Sequence, residues 1–354
     1  MNGATAALLA EAYALTPQAV EPGPSGTATV NHIVTDSGGR RWFVKAYPPG
    51  ADLAAEQQAL ELGRFAGRAG VPVPEVRAAA DGRLIAQRPG GPLSSAAVSV
   101  SAYVEGAETA EGGLHGGRWA AVGETLARLH TALARHPAGR PRSAPPTAVY
   151  DPPAKRARLR RLIGRYEEQP REGFEGWALA TARDRLALLP RIDALAAALP
   201  ARLTVQAVHG DLASPNLLLR GERVAAVIDF RPPRPRAAAW EIARIGCDPR
   251  TVVTREDWPA GLARLTAAYR SARPDFPLAE LAAVPRIALC ALAGSAYPLG
   301  EPLDHPESVT RPLRTYALHR DRAIGLLLER LAEAEGEVVR ALGPGSAGGA
   351  HGAD

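Results

Sequence analysis

Three side chains in the middle of the sequence carry oxygen donors that can meet at one point. The apolar segment 205–208 runs into His209-Gly210-Asp211, so Asp211 is expected on a loop at a strand end. Asn216 follows five residues later and leads into the apolar segment 217–219. Asp229 closes another apolar segment, 224–230, after the Gly221-Glu222 turn. If these last two segments pair as strands, two carboxylates and an amide oxygen face the same point. Such hard oxygen donors suit Mg²⁺, which keeps several waters and ordinarily holds phosphate as well. The competing reading is a turn in which Asp and Asn cap backbone groups beside a buried Asp. Lys45 is the other residue of note, because Phe43-Val44-Lys45-Ala46 sets a cation inside an apolar strand, where charge is unfavourable unless paired. Of 42 Lys and Arg residues only Lys45 and Lys155 are lysines, so a lysine here marks a place where a compact ammonium is wanted rather than a guanidinium fork.

The pattern His209-x-Asp211-x₄-Asn216, followed by Ile228-Asp229-Phe230, resembles the catalytic signature of the aminoglycoside phosphotransferase and choline kinase family, relatives of the protein kinases. The resemblance implies an α+β, bilobal, protein-kinase-like fold with a small strand-rich N-terminal lobe and a larger helical C-terminal lobe. It implies ATP and Mg²⁺ as cofactors. Asp211 then corresponds to the base that takes the acceptor hydroxyl's proton, and Asn216 and Asp229 to the metal ligands. Lys45 corresponds to the strand lysine on the α- and β-phosphates, and Glu56, eleven residues on, to the helix carboxylate that orients it; Glu61 is the competing choice. In Gly23-Pro24-Ser25-Gly26-Thr27, the backbone N–H groups of Ser25 and Gly26 either cap the phosphates or belong to an ordinary turn. Residues 101–105 resemble the interlobe hinge, which places Tyr103 beside the adenine. His130 reads as structural. Two departures stand out: Arg231-Pro-Pro-Arg234 makes the loop after Asp229 basic and stiff, and Glu241 stands where relatives carry Asp, able to accept bonds from the catalytic-loop backbone.

The elements that must position these groups follow from periodicity. A short helix is expected over 6–16, strands over 28–34 and 41–47 with a hairpin at Asp36-Ser-Gly-Gly39, and a helix over 52–67. Residues 76–79 and 84–87 read as a strand pair about Asp81-Gly82, and 98–104 as a further strand. Beyond a hinge at 101–106, helices are expected over 119–134, 155–166, 177–198, 237–245, 256–272, 278–296 and 308–341, with short strands at 205–208, 217–219 and 224–230. That divides the chain into an N-terminal nucleotide-binding lobe (1–100), the hinge, a catalytic and acceptor-binding lobe (107–342) and a Gly/Ala-rich disordered tail (343–354).

Composition bounds the rest. With 354 residues, 46% hydrophobic and 22% charged, the chain is an ordinary globular protein. A net charge of +5 weakly favours anionic ligands, and no basic run is interleaved with aromatics as in a nucleic-acid binder. Cys247 and Cys290 are isolated, in neither a zinc nor a disulfide pattern. No segment reads as a signal peptide or membrane span, so a cytoplasmic location is expected. The expected activity is transfer of the γ-phosphoryl group of ATP to a hydroxyl of a small molecule, such as an antibiotic or other natural product. The alternatives are a kinase for Ser or Thr hydroxyls of a precursor peptide and a non-catalytic nucleotide-binding pseudokinase. For a cationic acceptor the acids available are Asp248, Glu256, Asp257, Asp275, Glu280, Glu301, Asp304 and Glu307, each read as an ordinary solvated charge unless it meets a ligand.

Overall fold

The structure, a computed structural model, describes residues 1, 3–24, 29–88, 96–168 and 172–343. Residues 344–354 of the tail expected to be disordered, and Ser25 and Gly26, lie outside the described residues. The first lobe holds α1 (Gly3–Tyr13), β1 (Pro17–Pro22), β2 (Val30–Asp36), β3 (Arg41–Tyr47), α2 (Leu53–Arg68), β4 (Val76–Arg77), β5 (Ile85–Arg88) and β6 (Ala96–Ala102). Its antiparallel sheet runs β1-β2-β3-β6, with β4 and β5 both on the far edge of β6. Strand alternation decides which groups reach the cleft. On β3, Trp42 and Val44 point to a core with Leu8, Leu9 and Tyr13 of α1, while Phe43, Lys45 and Tyr47 point the other way. On β6, Val98 and Val100 join that core, and Ser99 and Ser101 face the cleft.

Two expectations fail here. The segments 76–79 and 84–87 do not pair with each other: Val76–Arg77 and Ile85–Arg88 each pair with β6 instead. The Tyr13 hydroxyl accepts from Ala86 N–H (3.1 Å) and lies 3.0 Å from Leu84 O and 2.9 Å from Val98 O, which ties α1 to β5 and β6. The strand β1 was not expected from its sequence. A proline at each end hides it, and both are tolerated because β1 is an edge strand.

The second lobe holds β7 (Glu108–Thr109), α3 (Arg118–Leu133), β8 (Arg142–Ala144), α4 (Pro152–Glu167), α5 (Gly173–Ala196), β9 (Leu203–Ala207), β10 (Leu217–Arg220), β11 (Arg223–Val227), β12 (Pro235–Ala237), α6 (Ala238–Gly246), α7 (Pro249–Thr254), α8 (Trp258–Ala272), α9 (Leu278–Ala282), α10 (Val284–Ala293), α11 (Glu301–Asp304), α12 (Arg311–Glu329) and α13 (Leu331–Leu342). The helices expected over 278–296 and 308–341 are each two. The first breaks at Ala283, where Pro285 starts α10, and the second at Arg330, whose guanidinium turns to Glu333 and to Glu256 O. Two small antiparallel sheets, β7-β10-β11 and β8-β9-β12, carry the loops of interest. Phe230 ties the lobes together. Its ring packs with Leu62 and Ala66 of α2 and Leu129 and Leu133 of α3, and it approaches Gly63 so closely that a Cβ there would lie 3.2 Å from Phe230 Cδ2. That contact explains a glycine in the middle of α2, where helix propensity alone opposes it. Among the described residues no helix is long and apolar enough to cross a membrane.

Candidate functional site

A cleft of ≈ 1450 Å³ lies between the lobes, lined by Lys45, Glu56, Tyr103, Asp211, Asn216 and Asp229 among others. The loop after β9 and the turn after β11 are laced together at its floor. Asn216 Nδ2 donates to Asp211 O (2.9 Å), and Ile228 N donates to Asn216 O (3.0 Å). Arg231 N donates to His209 O (3.0 Å). The His209 ring closes the lacing: Nε2–H donates to Ile228 O (2.8 Å) while Nδ1 accepts from Asp211 N (3.2 Å). That bonding fixes a neutral tautomer, and burial holds the His209 pKa below its ordinary value. Gly210 has φ +89°, open to glycine and strained for other residues, and a Cβ there would meet Arg231 Cβ at 3.0 Å. Asp229 lies two residues beyond the end of β11 rather than within the strand, at φ +61°. A non-glycine residue is rarely held there, and the conformation turns its carboxylate into the cleft.

Beneath this floor Glu241, fully buried in the first turn of α6, accepts from His209 N (2.9 Å), Gly210 N (2.8 Å) and His130 Nε2 (3.1 Å). The backbone-anchoring role expected of Glu241, and the structural role of His130, are both seen. His130 Nδ1 accepts from Tyr269 Oη (2.9 Å), and Arg273 bonds Tyr269 and Gln206 in turn. Burial opposes the Glu241 charge, but the hydrogen bond from His130, with that from the Gly210 N–H, outweighs it and keeps the carboxyl below its ordinary range. A folded-state pKa that is depressed contributes stability above the unfolded value and loses it as pH falls through the folded one. Replacing Glu241 with Gln turns one acceptor into a donor aimed at an N–H, and is expected to cost about 1–3 kcal/mol of stability at neutral pH. The gap to wild type should narrow as pH drops below the carboxylate range. Urea melts across pH check this, and equal midpoints at pH 7 would contradict the anchoring role.

Three cations at the cleft floor are paired with its two aspartates. Lys45 Nζ bonds Asp229 Oδ1. Asp211 bonds Arg231 through Oδ2 (3.0 Å to Nη2) and Arg244 through Oδ1. Glu56 lines the cleft but is not within ion-pair distance of Lys45, so the pair expected between them is replaced here by Lys45–Asp229. Glu61 is exposed and takes Gln57 Nε2 (2.8 Å), which leaves Glu56 as the cleft-facing carboxylate of α2. Tyr103 lies at the hinge, its N–H donating to Arg41 O (3.2 Å) and its ring 4.3 Å from the Arg41 guanidinium. Among the described residues no group of three His, Cys, Asp or Glu side chains forms a metal cluster. The oxygen donors at hand are Asp229 and the Asn216 amide, whose nitrogen is already engaged. A hard cation that needs few protein ligands fits that set.

Of the eight acids considered for a cationic acceptor, only Asp248, Glu301 and Glu307 line the cleft. Asp248 and Glu280 are not solvated charges, as they read in sequence, but buried anchors. Asp248 accepts from Ser214 N (3.1 Å) and Arg250 N (2.9 Å), and Glu280 from Thr204 N (2.9 Å) and Thr204 Oγ1 (2.7 Å). Neither could be told from surface acids in sequence, because their partners lie at least 34 residues away or are backbone N–H groups. The arginine pair on Asp211 was equally hidden, since Arg231 and Arg244 lie 20 and 33 residues from it.

The model of the phosphotransferase enzyme family (APH) matches residues 19–283. No curated protein matches the sequence. Several solved structures share the fold. A spectinomycin phosphotransferase, APH(9)-Ia, in complex with ADP and spectinomycin is 13% identical with TM-score 0.62, covering 94% of this chain and 98% of that one. An amicoumacin kinase in complex with AMP-PNP, Ca²⁺ and Ami is 14% identical with TM-score 0.57, covering 90% and 91%. An aminoglycoside phosphotransferase from Alicyclobacillus acidocaldarius is 18% identical with TM-score 0.53, covering 93% and 96%.

Proposed function

The chain belongs to the phosphotransferase enzyme family and is a kinase with an alcohol acceptor, and we propose that it moves the γ-phosphoryl group of ATP to a hydroxyl of a natural product held against the helical lobe. The observation that carries this reading is the laced floor of the cleft, which sets Asp211 and Asp229 opposite Lys45 of the N-terminal sheet. Lys45 takes the α- and β-phosphates when nucleotide displaces its bond to Asp229, and Glu56 is the carboxylate positioned to receive it. Asn216 and Asp229 would hold a magnesium ion, which when bound would supply neutralisation of charge on the phosphate oxygens. The acceptor oxygen forms its bond to the γ-phosphorus as the bond to the bridging oxygen of ADP breaks, and Asp211 takes the hydroxyl proton. A loose transition state asks little of the base until late in the transfer, so a carboxylate restrained by two guanidiniums can serve. Arg231, largely exposed, is placed to turn from Asp211 to the transferring phosphoryl oxygens. The hinge at 101–105 presents backbone groups to the adenine, with Tyr103 contributing its carbonyl and ring.

The acceptor class draws support from the complexes with spectinomycin and Ami, and from a cleft large enough for a nucleotide and a second molecule. The test is label transfer from γ-labelled ATP to hydroxylated antibiotics, small alcohols and a Ser/Thr peptide. Lys45→Met is expected to lower kcat/KM for ATP by about 10- to 100-fold, the worth of a hydrogen bond to a charged group. An unchanged value would remove Lys45 from the phosphate site, and labelling of the peptide alone would replace the small-molecule acceptor.

A further inference from the structure

Lys45 has Asp229 as its acid, Arg231 and Arg244 share Asp211, and Arg250 has Glu111 at 3.0 Å. Lys155, Arg158 and Arg236 also line the cleft with no carboxylate within ion-pair distance among the described residues, but none of them is buried, so water can solvate their charge. Arg320 of α12 has no acid either. It is 5% exposed and lines the cleft, yet among the described residues no carboxylate lies within ion-pair distance of it. Among the described residues its buried Nε has no hydrogen-bond partner, and its one bond runs from Nη1 to Tyr316 Oη at 3.4 Å. The guanidinium carbon lies 5.7 Å from the ring centroids of both Tyr297 and Tyr316. Behind it sits a second buried guanidinium, Arg185, at 2% exposure, bonded through Nη1 to Ser295 O (2.8 Å), with Asp321 at 3.8 Å as its only acid among the described residues. Burial, and then the charge of Arg320, push the Arg185 pKa down to about 10.

Two buried guanidiniums served by one distant carboxylate are unfavourable for folding, because a desolvated charge needs a partner. Stacking on tyrosine does not account for it. Arg250 stacks on the same Tyr316 ring at 4.2 Å and still has its acids. A group kept in an arrangement that opposes stability points to a ligand. Tyr297 and Arg320 belong to the helical lobe and line the cleft that also holds Asp211, so Arg320 lies on the acceptor side of the chemistry.

We propose that Arg320 recognises an anionic group on the acceptor, a carboxylate or a phosphate. Tyr297 and Tyr316 frame the part of the molecule between that group and the hydroxyl offered to Asp211. The acceptor is then a hydroxylated anion or zwitterion rather than a polyamine. The inference rests on the phosphotransferase reading above, so its test has two stages, both on the full chain. AMP-PNP with Mg²⁺ is titrated first, and failure to bind would count against the phosphotransferase reading. Inorganic sulfate, and separately acetate, are then titrated into the saturated complex.

Sulfate or acetate is expected to bind in the millimolar range, the tighter of the two showing whether a tetrahedral or a planar oxyanion is preferred. Arg320→Gln and Arg320→Met should weaken that binding by about tenfold or more, as for a charge-assisted bond, while AMP-PNP affinity stays at the wild-type value. Arg320→Met should also melt no lower than wild type, which a structural role for the arginine would forbid. If neither variant folds, Tyr316→Phe, which removes the hydroxyl that orients Nη1, should weaken the anion by about two- to tenfold. Nucleotide binding without anion binding, or anion binding untouched by these substitutions, overturns the proposal.

Discussion

Asp211→Asn is expected to lower kcat for phosphoryl transfer by about 10²–10⁴, the range for a positioned general base. Asn keeps the size of the side chain, but its single oxygen can accept from only one of Arg231 and Arg244, and its NH2 then faces the other. What it loses is the capacity to take a proton. The two arginines sharpen the expectation. With the carboxylate gone, two guanidiniums face each other across a neutral group, and Arg231, the more exposed, should swing into solvent. Binding of ATP, which depends on Lys45 and Asp229, should change little. Steady-state rates with the fitted KM for ATP check this, and a kcat within twofold of wild type would contradict it.

Asp229→Ala should remove magnesium-dependent nucleotide binding, with affinity falling by about 100-fold or more as both the proposed metal ligand and the partner of Lys45 are lost. The difference between titrations with magnesium and with EDTA should vanish in the variant. Backbone conformation supplies the control. Asp229 is held at φ +61°, which glycine adopts without strain. Asp229→Gly is therefore expected to fold at least as well as wild type while binding no better than Asp229→Ala. Wild-type magnesium dependence in either variant would mean that the metal is held elsewhere.

The parts of this protein that were readable in sequence are those set by local pattern. The period-2 alternation of Phe43-Val44-Lys45 sends Lys45 to the cleft. The spacing of His209, Asp211 and Asn216 fits one tight loop, and that loop is observed. Glu241 could be assigned a backbone-anchoring role from the resemblance, because it stands where relatives carry Asp. Long-range electrostatics were not readable. Nothing in the sequence tells Asp248, buried against Ser214, from Glu256 on the surface, or shows that Lys45 would meet Asp229 across 184 residues rather than Glu56 on the next helix. Prolines misled at β1, where an edge position removes the penalty they usually bring. Arg320 carries no sequence signal either; among the described residues its burial with neither an acid nor a hydrogen-bond partner for Nε sets it apart, since Arg273, buried without an acid, bonds Tyr269 and Gln206.

The decisive measurement is a crystal structure of the full chain with magnesium and AMP-PNP. It should place the metal against the Asn216 amide oxygen and the Asp229 carboxylate, with Lys45 moved from Asp229 to the phosphates and Asp211 facing the γ-phosphoryl group from the acceptor side. Nucleotide bound outside the cleft, or a metal held without Asp229, would contradict the account.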